Sequence, residues 1–200
     1  DKQFAEHSRQ GNIARCQDLC ADYILWLRGE VFPDLDLSGQ KILIDCANGA
    51  ASEIAPRVMK AFGAEAILMH AAPNGSNINL DCGATKPQVC ATEMLKHQYD
   101  AGLSLDGDAD RGILCDNAGR ILDGDTILAG LGQAMSQQQK LANNTVVATV
   151  MSNLALETYL KESGVTLLRT QVGDKHVAQE MRNGNHNLGG EKSGHILFGA

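Results

Sequence analysis

The sequence predicts an α/β fold made of two consecutive small βαβ-type domains with mixed, largely parallel sheets, the second of them truncated. Short apolar runs of strand length alternate along the chain with segments of helical period, which is the pattern of βαβ units. The alternation starts a second time near Arg120, so we expect one domain over residues 1–120 and another over residues 121–200. The second series ends on an apolar strand with no helix after it, which indicates an incomplete domain.

The first series contains three helices and three strands. Apolar residues three and four positions apart predict a helix over residues 12–31, with Gly29 as its stop signal. An apolar run predicts a strand at 41–46, and Gly63 ends the helix that follows it at 50–62. The remaining elements are a strand at 65–70, a long polar loop at 71–85, a helix at 87–98 with Pro87 in its first turn, and a strand at 101–105.

The second series opens with a hairpin and then repeats the alternation of helices and strands. The turn signal Asn117-Ala118-Gly119 joins strands predicted at 112–116 and 120–122. Gly164 ends a later helix. The elements after the hairpin are a helix at 125–141, a strand at 145–150, a helix at 153–163, a strand at 165–169, a helix at 174–182, a turn at 183–187 and a final apolar strand.

Composition excludes several classes of protein. A hydrophobic fraction of 44% with 20% charged residues is typical of a globular domain and excludes a disordered chain. No run approaches the ~20 apolar residues of a membrane helix, so we expect no membrane partner. The formal charge of −7 comes without any basic cluster, which argues against nucleic acid as a partner.

The cysteines and the polar first residues favour a cytoplasmic protein. Six cysteines are scattered without a CxxC pair, so we expect free, mostly buried thiols in a reducing compartment rather than a zinc site. Residues 1–11 are polar and show no secretory signal, which agrees with that location.

The strongest chemical signal is a run of alternating carboxylates after the strand at 101–105. Asp106, Asp108 and Asp110 would repel one another if they converged, and a divalent cation removes that repulsion. Oxygen ligands alone favour a hard ion such as Mg²⁺. Gly107 and Ala109 are small enough for the loop to curl, and Arg111 adds a fork that could hold a phosphate beside the metal.

Other interpretations of this loop are an EF-hand, an aspartyl-nucleophile phosphatase and a solvated acidic turn. An EF-hand counted from Asp106 requires Gly and Glu where this chain has Arg111 and Asn117, so that interpretation fails. A phosphatase in which Asp106 attacks phosphorus stays open on this loop alone, as does the acidic turn.

Two further segments carry polar side chains suited to a phosphorylated sugar. In the first, Gly190 and Gly194 flank Glu191 and Ser193, whose alternation lets both side chains reach adjacent hydroxyls, and His195 could move a proton or contact phosphate. The second is residues 171–177 (QVGDKHV), where a strand end, a glycine and a helix start form a natural anion site with Lys175 and His176 beside it. A polar hairpin and an ordinary helix start are the structural alternatives.

Taken together, these motifs resemble those of the α-D-phosphohexomutases. The pairing of residues 106–111 (DGDADR) with residues 190–195 (GEKSGH) carries the resemblance. Further segments resemble the bacterial branch that acts on glucosamine phosphates, and together they extend over nearly the whole chain. They are residues 45–51 (DCANGAA), 73–79 (PNGSNIN), 83–85 (GAT), 151–153 (MSN) and 172–177 (VGDKHV).

The resemblance implies a four-domain mutase that moves a phosphoryl group between O1 and O6 of a hexose phosphate through a phosphoserine and a sugar bisphosphate. It implies Mg²⁺ on Asp106, Asp108 and Asp110. It also implies that Arg111, Lys175 and His195 are catalytic residues, and that residues 190, 191, 193 and 194 bind the sugar. The substrate implied is glucosamine 6-phosphate or glucosamine 1-phosphate; glucose or mannose phosphates, or a non-catalytic binding module, are the alternatives.

The chain departs from the family in lacking two of its motifs. The Ser-His-Asn-Pro loop of the phosphoserine is absent, and the one His-Ser pair, His7-Ser8, lacks the Asn-Pro. The C-terminal Ser-Gly-Thr-Glu-Pro phosphate clamp is absent as well. We therefore expect this chain to be the second domain and most of the third domain of a larger parent protein. Without domains 1 and 4 of the parent, we expect it to be inactive. A homodimer of the parent is a further expectation.

Overall fold

The computed structural model describes residues 18–199 of the 200-residue chain. The chain divides into two compact units, residues 1–35 and residues 36–200, so the predicted boundary at residue 120 falls inside the second unit. In the first unit, α1 (Leu19–Trp26) continues into a π-helical turn, Leu27–Val31, and Gly29 does not stop it. The first part of the helix predicted at 12–31 and the pair His7-Ser8 lie outside the described residues.

The second unit begins with a five-stranded sheet. Its first three strands pair in parallel, and two further strands extend the sheet through antiparallel pairing. Its strand order is β2-β1-β3-β4-β5. Asp45, the last residue of β1, lies opposite Met69 on one side and Ser104 on the other. The elements are β1 (Lys41–Asp45), α2 (Ala51–Ala61), β2 (Glu65–Met69), α3 (Gln88–Met94), β3 (Ala101–Leu105), β4 (Gly112–Asp116) and β5 (Ile121–Leu122).

The second sheet repeats the plan of the first. Three parallel strands and one antiparallel edge strand follow the order β7-β6-β8-β9. The elements are α4 (Gly124–Gln137), β6 (Thr145–Thr149), α5 (Leu154–Glu162), β7 (Thr166–Thr170), α6 (Asp174–Gly184), β8 (Leu188–Gly190) and β9 (Ile196–Phe198). The predicted fold class is confirmed: the chain is α/β, with two mixed, largely parallel sheets.

Side-chain alternation along the central strands builds a core on both faces of each sheet. In β1, Leu43 packs on the α3 side against Cys90 and Met94, whereas Ile44 packs on the α2 side against Ala51 and Ala55. The central strand of the second sheet does the same, since every residue of β6 is buried. On one face of this sheet, Val146 and Ala148 pack with Leu128, Leu156 and Leu160. On the other face, Val147 packs with Val177 and Met181.

Among the helices predicted wholly within the described residues, α3 and α4 depart most from their predicted bounds. Helix α3 ends at Met94, its last buried side chain, rather than near residue 98, and the next residue, Leu95, is 68% exposed. Helix α4 spans Gly124–Gln137 rather than 125–141, so it begins one residue and ends four residues earlier than predicted. The Asp123 side chain caps α4 by accepting the Thr126 N–H at 3.1 Å, so Asp125 lies within the first turn, where it is buried.

The described cysteines are free, as predicted. Cys46, Cys82, Cys90 and Cys115 are buried and Cys20 is partly buried, whereas Cys16 lies outside the described residues. Burial, with a smaller effect from the charge of Asp45, raises the pKa of the Cys46 thiol to about 11. Among residues 18–199 no helix combines the length and the apolarity that crossing a membrane requires.

The hairpin between β4 and β5 gives a testable pH dependence. Asp116 accepts the backbone N–H groups of Ala118 and Arg120 at 3.0 and 2.8 Å and pairs with the Arg120 guanidinium. The backbone hydrogen bond from Arg120, and then its side chain, lower the pKa of Asp116. A carboxyl whose pKa is lower in the folded state stabilises the fold above its unfolded pKa of about 3.9, and this stabilisation is lost as pH falls through the folded pKa.

We therefore expect Asp116→Asn to lower the midpoint of urea unfolding at pH 7 and to differ less from wild type at pH 3. Urea unfolding curves at pH 7 and pH 3 measure the difference in unfolding midpoint between the variant and wild type. A gap of equal size at both pH values would contradict this account, because an uncharged role of the side chain does not depend on protonation.

Candidate functional site

The connection between β3 and β4 brings the three predicted carboxylates together. One oxygen from each of Asp106, Asp108 and Asp110 lies within 4.8 Å of the others. The curl that brings them together is a turn closed by the Ala109 N–H, which donates to the Asp106 carbonyl at 3.1 Å, with Ala109 at a left-handed φ of 61°. Asp106 is 1% exposed and the other two carboxylates are exposed, so the cluster opens to solvent on one side.

The charges of this loop favour a cation. Burial, together with the charges of Asp106 and Asp108, raises the pKa of Asp110. Burial of Asp106 opposes its ionisation, but its side-chain and backbone hydrogen bonds with Arg111, and the charge of Arg111, lower its pKa. Three oxygen donors that repel one another in this way fit a hard divalent ion such as Mg²⁺, which supplies the missing positive charge.

Arg111 lies against the carboxylates instead of extending away from them. Its Nε donates to Asp106 Oδ2 at 2.6 Å and is 3.6 Å from Asp110 Oδ1. Its backbone N–H also donates to Asp106 Oδ1, at 3.2 Å. The sequence predicted the arginine beside a metal site but not this pairing, which uses Nε and leaves its terminal amino groups for another anion.

The second predicted loop is the corresponding connection in the second sheet, between β8 and the antiparallel strand β9. The Glu191 N–H donates to the His195 carbonyl at 2.9 Å, and the Gly194 N–H donates to the Glu191 carbonyl at 3.0 Å. Ser193 and Lys192 are exposed and Glu191 is half-buried. We call residues 191–195 the hairpin loop and residues 106–111 the carboxylate loop.

These two loops touch each other. The Gly112 N–H, directly after the carboxylate loop, donates to the Gly194 carbonyl at 3.0 Å. His195 Nδ1 lies 3.5 Å from Asp110 Oδ2. Gly194 has a φ of 94°, and a Cβ there would overlap the Gly112 carbonyl, so this close approach requires glycine. Two motifs about 80 residues apart in sequence therefore form one continuous surface.

The third predicted segment joins this surface at the start of α6. The Gly173 N–H donates to Glu191 Oε1 at 3.0 Å, which ties the hairpin loop to the turn before α6. Lys175 and Asp174 lie in the first turn of α6 and are exposed. Glu191 thus keeps one carboxylate oxygen for another partner, and Lys175 places a positive charge near a helix N-terminus.

Sequence reasoning missed the segment that supports the hairpin loop from behind. The Gly124 N–H donates to the Lys192 carbonyl at 3.0 Å, and a Cβ on Gly124 would overlap the Glu191 carbonyl. Lys192 Nζ lies 3.8 Å from Asp123 Oδ2. The available signal was Asp123-Gly124-Asp125, a glycine between a capping residue and a buried carboxylate at a helix start.

A matched pair of glycine variants tests this support. Gly124→Ala should destabilise the fold by about 1–3 kcal/mol, because the methyl group has no space between α4 and the hairpin loop. Gly130→Ala, in the same helix, meets nothing within 4 Å and should stabilise the chain by up to about 1 kcal/mol through helix propensity. Denaturant unfolding measures both, and equal effects of the two variants would contradict the packing argument.

Two family models together match residues 28–119 and 123–200 of this chain. The model described as phosphoglucomutase/phosphomannomutase, alpha/beta/alpha domain II, matches residues 28–119, and the domain III model of the same family matches residues 123–200. Phosphoglucosamine mutase of Pelobacter propionicus is 46% identical over 191 residues, which are 96% of this chain and 42% of that protein. The corresponding protein of Nitratidesulfovibrio vulgaris is 48% identical over 190 residues, again 42% of its length.

Solved structures share the fold at lower identity. A phosphoglucomutase/phosphomannomutase family protein from Burkholderia thailandensis superposes with a TM-score of 0.78 at 24% identity, over 90% of this chain and 39% of that one. Aspergillus fumigatus N-acetylphosphoglucosamine mutase, in complex with GlcNAc-6P and magnesium, gives 0.66 at 24% identity, over 88% and 40%. This chain spans less than half the length of these relatives. Because two family models match along its length, it belongs to the phosphoglucomutase/phosphomannomutase family.

Proposed function

We propose that this chain carries the metal-binding and sugar-binding part of a phosphoglucosamine mutase, which interconverts glucosamine 6-phosphate and glucosamine 1-phosphate. The observation that carries the proposal is the contact between the carboxylate loop and the hairpin loop, through Gly112 with Gly194 and His195 with Asp110. The contact places cation ligands beside side chains that can hold sugar hydroxyls, which a phosphoryl transfer between two sugar oxygens requires.

The proposed metal is Mg²⁺, held by Asp106, Asp108 and Asp110. When bound, it would neutralise the negative charge of the phosphoryl oxygens during transfer. The donor set of three carboxylates, one of them with a pKa raised by burial and by its neighbours, supports this assignment. The Aspergillus relative in complex with GlcNAc-6P and magnesium supports it as well.

The surrounding side chains would position the sugar phosphate. Arg111 would hold the transferring phosphate with its terminal amino groups while its Nε keeps Asp106 in place. Lys175 at the start of α6 would add charge for a phosphate, and His195 would hold or move a proton beside Asp110.

The hairpin loop would select the sugar by its hydroxyls. Glu191, with one oxygen already held by the Gly173 N–H, would direct the other oxygen at a hydroxyl, and Ser193 would contact the adjacent one. We assign Gly190 and Gly194, which are both buried, to shaping the sugar site through their backbone, since a Cβ at either position would crowd neighbouring backbone.

The geometry favours a mutase over a hydrolase that uses Asp106 as nucleophile. Asp106 is 1% exposed, and its two carboxylate oxygens accept hydrogen bonds from the Arg111 backbone N–H and Nε. A carboxylate held in this way is a poor attacking group, since both oxygens are already engaged. A phosphoglucomutase, a phosphomannomutase or a binding module without turnover remains an alternative outcome of the test.

The proposal extends to the whole protein. We propose that residues 1–120 and 121–200 correspond to its second domain and to most of its third. The donor phosphoserine and the remaining phosphate contacts would come from domains 1 and 4, with a sugar bisphosphate as the intermediate. We further propose a cytoplasmic protein, as free thiols favour, that assembles as a homodimer; sedimentation of the whole protein tests the dimer.

The test of function is an assay of the whole protein with Mg²⁺ and glucose 1,6-bisphosphate. It compares glucosamine 6-phosphate with glucose, mannose and N-acetylglucosamine phosphates. We expect the highest kcat/KM for glucosamine 6-phosphate, and a preference for another sugar would overturn the substrate assignment.

Charge variants in the same assay test the metal assignment. Asp108→Asn should lower turnover about 100-fold or more and weaken Mg²⁺ binding, because it removes one charged ligand. Glu162→Gln removes one charge at the exposed end of α5 and should change neither quantity. Turnover by Asp108→Asn equal to wild type would contradict the assignment.

A further inference from the structure

A second group of possible metal ligands lies at the carboxyl ends of β1 and β2, outside the carboxylate loop. One donor atom from each of Asp45, His70 and Cys82 lies within 4.8 Å of the others. Asp45 and Cys82 are fully buried, whereas the His70 side chain is 33% exposed. The mechanism proposed above uses none of these side chains.

Strand register and backbone hydrogen bonds bring the three residues together. Asp45 pairs with Met69 across the parallel strands, so His70 follows directly beside it, and His70 Nδ1 lies 3.1 Å from Asp45 Oδ1. The Gly83 N–H donates to Asp45 Oδ2 at 2.9 Å, which fixes Cys82, the residue before it. The Ala47 N–H donates to Asp45 Oδ1 at 3.0 Å, so both carboxylate oxygens are oriented.

One buried polar atom in this group makes no hydrogen bond. Among the described residues, His70 Nδ1 is buried and makes no hydrogen bond, although it faces the Asp45 carboxylate. A buried imidazole nitrogen without a hydrogen bond is unfavourable, and metal ligation is one way to satisfy it. The His70 side chain is 33% exposed, so the group lies close to solvent.

We propose that Asp45, His70 and Cys82 form a second metal site, which takes a borderline-soft divalent ion of the zinc class. A carboxylate, an imidazole and a thiolate are the donor types that zinc uses in proteins, and a fourth position would be left for water. Zinc–ligand bonds of about 2.0–2.3 Å separate two ligands of a tetrahedral ion by about 3.3–3.8 Å. Donor atoms already within 4.8 Å reach those separations with small side-chain movements.

This site would differ from the carboxylate loop in its metal preference. A thiolate is a poor ligand for Mg²⁺, which prefers oxygen, so excess Mg²⁺ should not displace zinc. Burial, and then the charges of Asp45 and Asp81, raise the pKa of the Cys82 thiol, so without a cation Cys82 stays protonated. Metal binding would release that proton, since a thiol ligates as its thiolate.

The site has a structural use that does not depend on catalysis. The cluster joins the ends of β1 and β2 to the segment near Gly83, where a Cβ would overlap the Leu105 carbonyl just before the carboxylate loop. Gly107 in that loop leaves similarly little space beside Ile78 and Asn79. An ion at Asp45, His70 and Cys82 would therefore fasten the segment on which the carboxylate loop packs.

Cobalt titration of this chain tests the proposal. The chain, stripped of metal and kept reduced with a phosphine, is titrated with Co²⁺ in excess Mg²⁺. We expect a near-ultraviolet thiolate-to-cobalt band that saturates at one ion per chain and is displaced by Zn²⁺. Because the band requires a thiolate and the carboxylate loop offers only carboxylate oxygens, the result does not depend on the proposed mutase function.

Variants assign the band to its ligands. Cys82→Ser should abolish it, whereas Cys90→Ser, which changes another fully buried thiol, should keep it. His70→Gln should weaken Co²⁺ binding at least about 100-fold, since loss of an outer-shell partner alone costs about 10–100-fold. Absence of the band in wild type, or its persistence in Cys82→Ser, would overturn the proposal. If Cys82→Ser does not fold by circular dichroism, unchanged affinity of His70→Gln overturns it instead.

Discussion

Purified by itself, this 200-residue chain should fold but convert no glucosamine 6-phosphate into glucosamine 1-phosphate. Both sheets have their own buried clusters, so the chain has the apolar core that stability requires. Turnover also requires a phosphate donor in line with the acceptor oxygen. The donor serine loop of the family has no counterpart in this sequence, and the chain spans 42% of its phosphoglucosamine mutase relatives.

The expected loss is large because it combines a missing nucleophile with lost orientation. Positioning of reactants alone accounts for about 7–11 kcal/mol of barrier lowering in well-oriented reactions, which is roughly 10⁵–10⁸-fold in rate. Without the donor, the carboxylate and hairpin loops, which we propose hold the sugar phosphate, could not phosphorylate it.

The measurement incubates the chain with glucosamine 6-phosphate, Mg²⁺ and glucose 1,6-bisphosphate and follows glucosamine 1-phosphate. The whole protein under the same conditions is the positive control. Product formed above the rate without protein, and abolished by Asp108→Ala, would show that the phosphate carrier lies within these 200 residues and that the domain assignment is wrong.

The second large effect is expected for Asp45→Ala, on stability. Asp45 is fully buried and accepts the Ala47 and Gly83 N–H groups at 3.0 and 2.9 Å, beside His70. Its removal leaves these two backbone donors without their acceptor. Each unsatisfied buried donor costs about 1–3 kcal/mol, so we expect a loss of about 3–5 kcal/mol in total.

Asp100→Ala is the matched control, because Asp100 also accepts a backbone N–H of β1, that of Lys41 at 2.7 Å, but at an exposed position. There water can replace the carboxylate, so the expected loss is about 0.5–1.5 kcal/mol. Urea unfolding in the presence of a metal chelator measures both variants without any contribution from bound ions. Losses of similar size would contradict the role assigned to burial.

Local pattern was sufficient to predict most of the fold. The strands at 101–105 and 112–116 have the predicted bounds, because each apolar run lies between strong turn or charge signals. Helix ends were less predictable. Helix α3 ends where its buried side chains end, although residues 95–98 contain no glycine or proline to indicate it.

The convergence of the three carboxylates could also be predicted from sequence, since the small residues Gly107 and Ala109 between alternating aspartates allow the loop to curl. The Arg111 pairing with Asp106 could not, because the sequence does not say whether an arginine faces a ligand or a neighbouring carboxylate. The support from Gly124 was missed for a similar reason. A glycine shows where space is short only when the backbone that fills the space is known.

The sequence by itself determined the alternation of strands and helices, the two-sheet plan and the residue types of both loops, because these depend on neighbours along the chain. Only the tertiary structure decided which distant residues meet. Gly112, at the start of β4, touches Gly194 in the hairpin loop because the β3–β4 and β8–β9 connections meet within one unit. Asp45 and His70 lie side by side because register aligns the ends of β1 and β2, and the hydrogen bond from Gly83 to Asp45 brings Cys82 beside them. Such contacts depend on register and packing, which no local pattern contains.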